Sequence, residues 1–442
     1  MKRLEGKKIL FVNIPLEGHF NPLTGLAKYL QQLGCDVRWY TTPRFEEKVK
    51  KLGIPFYPFE KALDISLSDS DPLTAERDAI QDFVKKVNWD FINLFVNRAP
   101  EYFEDMKQIR QSFAFDLVIG DVGVCALPLI RYGMNIPVIS VGVTPLAEQS
   151  TDLGPFSYGL LPPKNKEEEI EYARLRDNFT GVMVRESIDS YAAVLGQYGV
   201  SVPDKNLFFA DLIIKNASLH FQIGVPEFEY TRSDLGKNIR FVGSLSPYTE
   251  KVKTNPWFNE KLLKYTKILL VTQGTLSPDL NKLVVPALEA LQGTDILVIV
   301  APGGPHTQAL REKYPANNLI IENYIPFDEV MPYATAFVSN GGYGGVIQAF
   351  KRKLPIIAAG KTEDHSEVCA RVGYFDYGID LNTDTPTAEA IRQAVEEIMT
   401  NDKYKNNVVK LAEIFDQYNS NELCAGYIAD VIASVKPSEA GN

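Results

Sequence analysis

The 442-residue chain is short of several things, and each shortage removes a class of protein. It has four cysteines, Cys35, Cys125, Cys369 and Cys424, scattered with no Cys-x-x-Cys pair, and four histidines far apart in sequence. That pattern excludes a zinc signature and fits reduced thiols, as expected of a cytoplasmic protein. Positive charge is outnumbered, 46 lysines and arginines against 56 aspartates and glutamates. A net charge of -10 with no clustered basic run argues against nucleic acid as the partner. No apolar run is long enough to span a bilayer, so no membrane insertion is expected. Residues 1–8 lead straight into a strand, so no signal peptide is expected either.

Two glycine fingerprints are missing as well. After Gly342-Tyr343-Gly344 the third glycine of a dinucleotide motif would have to stand where Ile347 is. Gly360-Lys361-Thr362 ends like a P-loop, but the first glycine would fall on Pro355. Neither a Rossmann dehydrogenase nor a P-loop NTPase is supported.

What is present is apolar material enough for two cores, 45% hydrophobic and 11% aromatic. Apolar runs at residues 9–12, 36–41, 54–58, 116–121, 137–141 and 239–243 read as strands separated by helical stretches. A second series follows at 268–272, 296–300, 319–322, 336–339 and 355–359, closed by helices at 387–400, 403–419 and 422–435. Asn21 and Pro22 suit the N-cap and first position of a helix running to about Leu33. Alternation of this kind predicts an α/β chain with two doubly wound parallel sheets. The divisions expected are a first domain over 1–243, a linker over 244–256, a second domain over 257–420 and a terminal helix over 421–442.

The densest chemistry lies in 319–366. Four glycines among Gly341, Gly342, Gly344 and Gly345 follow the strand at 336–339 and precede a helix. Such a turn lets backbone N–H groups, backed by the helix dipole, face an anion, although a tight packing turn would also use glycine. In a doubly wound sheet the first and fourth strands are neighbours, and their carboxyl ends border the usual ligand crevice. Strand order therefore places His19 beside Asp121 in the first half and Gly274-Thr275 beside the glycines in the second. His19 is expected just ahead of a helix N-terminus, which disfavours the imidazolium. A neutral imidazole oriented by a carboxylate is what a general base needs, and satisfying the loop backbone is the plainer alternative. Asp69-Ser70-Asp71 fits an Asp-x-Asp metal motif but reads as a solvated turn.

The Gly-His-x-x-Pro loop at Gly18 to Pro22 and the 319–366 block together resemble family 1 glycosyltransferases of the GT-B fold, and the resemblance runs along nearly the whole chain. It implies two facing Rossmann-like domains with a deep cleft and C-terminal helices crossing back. By position, Tyr324-Ile325-Pro326 would stack on and read the nucleobase, and Asn340 to Gly345, including Tyr343, would bind the diphosphate. Gly274-Thr275 and Ser244 would lie near the donor, Gln348 at the ribose, and Asp364-His365 at the sugar. His19 and Asp121 match the base and its orienting acid. Asn340, Gln348 and His365 depart from the His, Glu and Gln usual at those places, which leaves the donor's identity open.

The implied reaction is inverting transfer from a nucleotide sugar, UDP-glucose being the common donor, to a small apolar or aromatic hydroxyl acceptor held near Phe83, Phe91 and Thr144. No cofactor beyond the cosubstrate and no metal is expected, and the chain is expected to be a monomer or weak homodimer. A sugar-nucleotide epimerase and a non-catalytic nucleotide-sugar-binding partner are the alternatives.

Overall fold

The computed structural model describes residues 4–65, 72–202, 204, 206–249, 256–274, 279–302 and 306–434. The first half builds a seven-stranded parallel sheet from β1 (Lys8–Val12), β2 (Asp36–Thr41), β3 (Phe56–Pro58), β4 (Leu117–Asp121), β5 (Val138–Gly142), β6 (Leu219–Gln222) and β7 (Ile239–Phe241), in the order β3-β2-β1-β4-β5-β6-β7. The second half builds a six-stranded one from β8 (Ile268–Thr272), β9 (Leu297–Val300), β10 (Leu319–Ile321), β11 (Ala336–Ser339), β12 (Ile356–Ala358) and β13 (Gly378–Asp380), in the order β10-β9-β8-β11-β12-β13. The central strands are buried on both faces, as continuous runs such as Ile-Leu-Phe-Val and Leu-Val-Ile dictate. β1 lies against β4, with Val12 opposite Gly120, and β8 against β11, with Thr272 opposite Ser339. Strand order thus reverses beside β1 and beside β8, which opens a crevice at the carboxyl ends of both pairs.

Two strands escape the hydrophobic pattern. β6 buries His220 and Gln222, whose polarity is absorbed by Ser140 Oγ at 2.8 Å from His220 Nδ1 and by the Thr144 carbonyl, which accepts from Gln222 Nε2 at 2.8 Å. β13 is three residues long and opens on glycine, because a Cβ at Gly378 would lie 1.9 Å from the Ile356 carbonyl oxygen.

One apolar cluster joins the halves, running from Phe11, Phe20 and Trp39 through Phe228 and Phe350 to Ile428. Helix Ser420–Ser434, in the last stretch of the chain, packs on helix Glu17–Gln32 of the first half. Gly243 makes this approach possible: its φ is +72°, and a Cβ there would stand 2.5 Å from Tyr418 Cβ. The stretch after it returns along the first domain, where Tyr248 N–H donates to Thr24 Oγ1 at 2.8 Å. Residues 250–255 of the expected linker, and Asp69 to Asp71, lie outside the described residues. No helix among the described residues is long and apolar enough to cross a membrane.

The first helix differs from its expected start. It spans Glu17–Gln32 with Leu16 as N-cap, so Asn21 and Pro22 lie inside it. Glu17, suited to the first turn by charge, holds Asn21 Nδ2 at 3.2 Å and pairs with Lys48. Pro22 costs this helix only the bond onto the Gly18 carbonyl.

Candidate active site

His19 sits in the first turn of that helix, where its N–H donates to the Leu16 carbonyl at 3.1 Å. Its Nδ1 is 2.7 Å from Asp121 Oδ1, at the end of β4. Asp121 is fully buried and also accepts from Ile14 N–H at 2.8 Å and Gly123 N–H at 2.7 Å. A carboxylate already taking two backbone donors acts as acceptor, so Nδ1 carries the proton and Nε2 is left with a free lone pair. The His19 side chain keeps 18% of its surface exposed, enough to reach a ligand from one edge.

The expected depression of its pKa does not occur. Burial pulls the imidazole down, but the Asp121 charge and hydrogen bond, with Asp364 and Glu363, together raise it above the ordinary value. The last two belong to the loop after β12 in the second half, so the charges of that loop act on His19. The same closeness helps hold Asp364, whose carboxyl is raised by its own burial and by Glu363 against the opposing pull of His365 and His19. Glu363, Asp364 and His365 bring acceptor atoms within 4.8 Å of one another, a spacing suited to several hydroxyls.

The glycine cradle is shorter than expected. Asn340, Gly341 and Gly342 form the turn, and Tyr343, Gly344 and Gly345 already belong to helix Tyr343–Lys351. The ladder begins with Val346 N–H on the Gly342 carbonyl, at 3.1 Å, so the earlier N–H groups have no acceptor within the helix. Gly341, at φ +95°, leaves no room for a Cβ, which would meet Cys369 Sγ at 2.8 Å. Asn340 Nδ2 donates to the Gln273 carbonyl at 2.7 Å, tying the cradle to the loop after β8, while its Oδ1 is buried without a partner. Gly274 abuts the same side chain, with its Cβ position 3.2 Å from Asn340 Nδ2. Thr275 lies outside the described residues.

Tyr343 turns its ring away from the cradle: its hydroxyl donates to the Ile223 carbonyl of the first half at 2.6 Å, and its backbone stays at the start of the helix. Tyr324 is 77% exposed on the loop after β10, while its neighbour Ile325 is buried, and Pro326 caps helix Phe327–Val330. Gln348 bonds back to the Gly344 carbonyl at 3.3 Å, and Ser244 is buried with its Oγ 3.3 Å from Ser246 Oγ. On the first-domain side, Phe91 packs in a cluster with Phe95, Phe208 and Phe209, Phe83 is 69% exposed, and Thr144 donates to the Pro145 carbonyl at 3.0 Å. None of these three is brought against His19 by a hydrogen bond or ring contact.

Sequence reasoning missed Gly360, whose Cβ would stand 2.0 Å from the Asn340 carbonyl oxygen, and Arg77, which bonds Asp90 at 2.6 Å and lies within electrostatic reach of Glu363. Only proximity in space marks either one.

Two parallel sheets, with a His–Asp pair at the crevice of one and an amide-lined helix terminus at that of the other, have the architecture of a GT-B fold. Residues 286–423 match the family described as the erythromycin biosynthesis protein CIII-like C-terminal domain. The chain is 27% identical over 418 residues to 4'-demethylrebeccamycin synthase of Lentzea aerocolonigenes, covering 94% of this chain and 97% of that one. It is 29% identical over 427 residues to UDP-glucosyltransferase 1 of Beauveria bassiana, covering 91% of each. The crystal structure of the kitacinnamycin glycotransferase superposes with a TM-score of 0.75 at 16% identity, over 97% of this chain and 99% of that one. The chain has the GT-B fold and is a glycosyltransferase, similar over nearly its whole length to these enzymes.

Proposed function

We propose that the protein moves a sugar from a UDP-linked donor, UDP-glucose being the expected one, to a hydroxyl of a small apolar or aromatic natural-product-like acceptor, with inversion. The relatives named UDP-glucosyltransferase 1 and 4'-demethylrebeccamycin synthase support the donor and the acceptor class. The observation that carries the mechanism is the His19–Asp121 bond at a crevice facing Asp364.

In this reading His19 Nε2 takes the proton of the acceptor hydroxyl as its oxygen attacks the anomeric carbon. Asp121 stabilises the imidazolium, and the carbon–oxygen bond to the nucleoside diphosphate breaks on the opposite face. The diphosphate leaves onto the free N–H groups at the start of helix Tyr343–Lys351, whose dipole supplies the positive end; no metal is assigned a role. Tyr324 stacks on the base, Ile325 and Pro326 border it, Gln348 meets the ribose, and Asp364 with His365 holds the sugar hydroxyls. Gly18, Ser244 and Gly274 are assigned to the donor side, and Phe83, Phe91 and Thr144 to the acceptor side. Base catalysis of this kind contributes ~10²–10⁴-fold.

The test is a screen of UDP- and dTDP-sugars against phenolic and polyketide acceptors, read by mass spectrometry, with the anomeric configuration taken from coupling constants. A retained configuration would remove the direct displacement. Turnover of the donor without an acceptor, giving an epimeric sugar nucleotide, would move the protein to a different reaction.

A further inference from the structure

The two domains also meet at a buried chain of four charged residues that neither the base nor the cradle uses. Helix His365–Tyr374 starts directly after Asp364. Its first turn is pinned to the first domain twice. Ser366 Oγ donates to the Ser157 carbonyl at 2.9 Å, and Glu367 Oε1 accepts from Gly159 N–H at 2.9 Å. One turn on, Arg371 is 1% exposed and donates from Nη1 to Glu367 Oε2 at 2.7 Å and from Nε to Glu229 Oε1 at 3.1 Å. Its guanidinium carbon lies 4.1 Å from the centroid of the Tyr230 ring. Glu229 also accepts from Leu146 N–H at 3.1 Å and from Arg232 Nη2 at 3.3 Å.

Two arginines and two glutamates balance in charge, yet taking four ions out of water costs more than apolar packing of the same volume would. What such a set supplies is direction, because a planar guanidinium fork donates to its carboxylates in one geometry. The geometry in question joins the turn bearing Asp364 and His365 to the first-domain loop running from Leu146 to Gly159, which leaves β5 near the base. We propose that Arg371, Glu367, Glu229 and Arg232 are positioning residues that fix the sugar-holding turn in register with the first-domain base. This rests on the transfer reading above. Misplacement by about an ångström far from the chemistry is enough to cost on the order of a hundredfold in rate.

The test uses the full chain with Glu367→Gln, Glu229→Gln and Arg371→Lys, each checked for folding by circular dichroism. The expected result is a UDP dissociation constant within about twofold of wild type, since Tyr324 and the cradle lie on other loops. Transfer kcat should fall about tenfold or more, and the share of donor lost to water rather than acceptor should rise. Asp364→Asn should also cost less in the Arg371→Lys background than alone, since the two act on one element. A folded variant with wild-type kcat and wild-type partition would overturn the proposal. So would a parallel loss of UDP affinity, which a general loosening of the second domain would produce. If two variants fail to fold, Glu367→Gln decides, because it keeps the acceptor for Gly159 N–H. Wild-type protein that glycosylates no acceptor would instead sink the transfer reading itself.

Discussion

His19 and Asp121 stand 102 residues apart in the chain and 2.7 Å apart in the fold, joined by one hydrogen bond at the carboxyl ends of two adjacent strands. His19→Ala removes the imidazole that Asp121 holds without touching the cradle. Transfer is expected to fall by ~10²–10⁴-fold, while UDP affinity measured by calorimetry stays unchanged. Asp121→Asn should lose rate too, and should also destabilise the fold. Asp121 accepts three hydrogen bonds in a fully buried site, and an amide has a single oxygen to offer. Full activity in His19→Ala would end the assignment of the base.

The same pair sets a pH dependence. His19 has its pKa raised, and a base works only when neutral, so the acid limb of kcat/KM should lie above the ordinary histidine value of about 6.5. Asp121→Asn removes the nearest raising charge and should move that limb down. For stability the sign is opposite to that of a carboxylate whose pKa is depressed in the fold. A raised histidine contributes stability that is fully present below its unfolded pKa and is lost as pH rises through the folded one. The stability difference between wild type and His19→Gln should therefore shrink from pH 6 to pH 8.

How far the sequence speaks depends on whether a contact is set by strand order. His19 meets Asp121 because β1 and β4 are neighbours, and that neighbourhood follows from alternating strands and helices. The acid environment of His19 was not legible, since Asp364 and Glu363 reach it from the other domain. Arg371 is further out of view. An arginine on a helix reads as solvated, and its partner Glu229 lies 142 residues away on a segment with no motif. β6 was missed for a related reason: His220 and Gln222 look like surface residues until Ser140 and the Thr144 carbonyl satisfy them.

Gly360 makes a sharp test of the cradle. Alanine there would force its Cβ within 2.0 Å of the Asn340 carbonyl oxygen and 2.8 Å of His365 Cβ. Backbone cannot yield as a flexible side chain can, so Gly360→Ala should cost about 1–3 kcal/mol and weaken UDP binding as the turn shifts. Gly196→Ala, in a helix with nothing within 4 Å, should be neutral or stabilising. Equal melting temperatures for the two variants would refute the steric account.

His220 predicts an acid sensitivity separate from catalysis. Buried between Ser140 and Gln222, it is pushed down to about 4, chiefly by burial. A histidine held neutral in the fold loses its stabilising contribution as pH falls from about 6.5 towards that value, because the unfolded chain takes up the proton first. The loss should approach about 3 kcal/mol at most, and His220→Gln should flatten the melting curve between pH 6.5 and pH 4. An unchanged slope in that variant would show that other groups govern the acid limb.

Tyr324 carries the test of nucleotide recognition. Its ring is 77% exposed, so nothing in the fold accounts for its placement, yet Ile325 beside it is buried and Pro326 fixes the following helix. A rigidly mounted, solvent-facing aromatic at the carboxyl end of β10 has the form of a stacking platform. Base–aromatic stacking is worth about 1–3 kcal/mol, so Tyr324→Ala should weaken UDP binding by roughly tenfold or more. Tyr324→Trp should preserve it. Neither change should move the melting temperature, because the side chain packs on little. Inorganic pyrophosphate, which has no base, should bind both variants as it binds wild type. If UDP affinity survives Tyr324→Ala, the base lies elsewhere on the second domain.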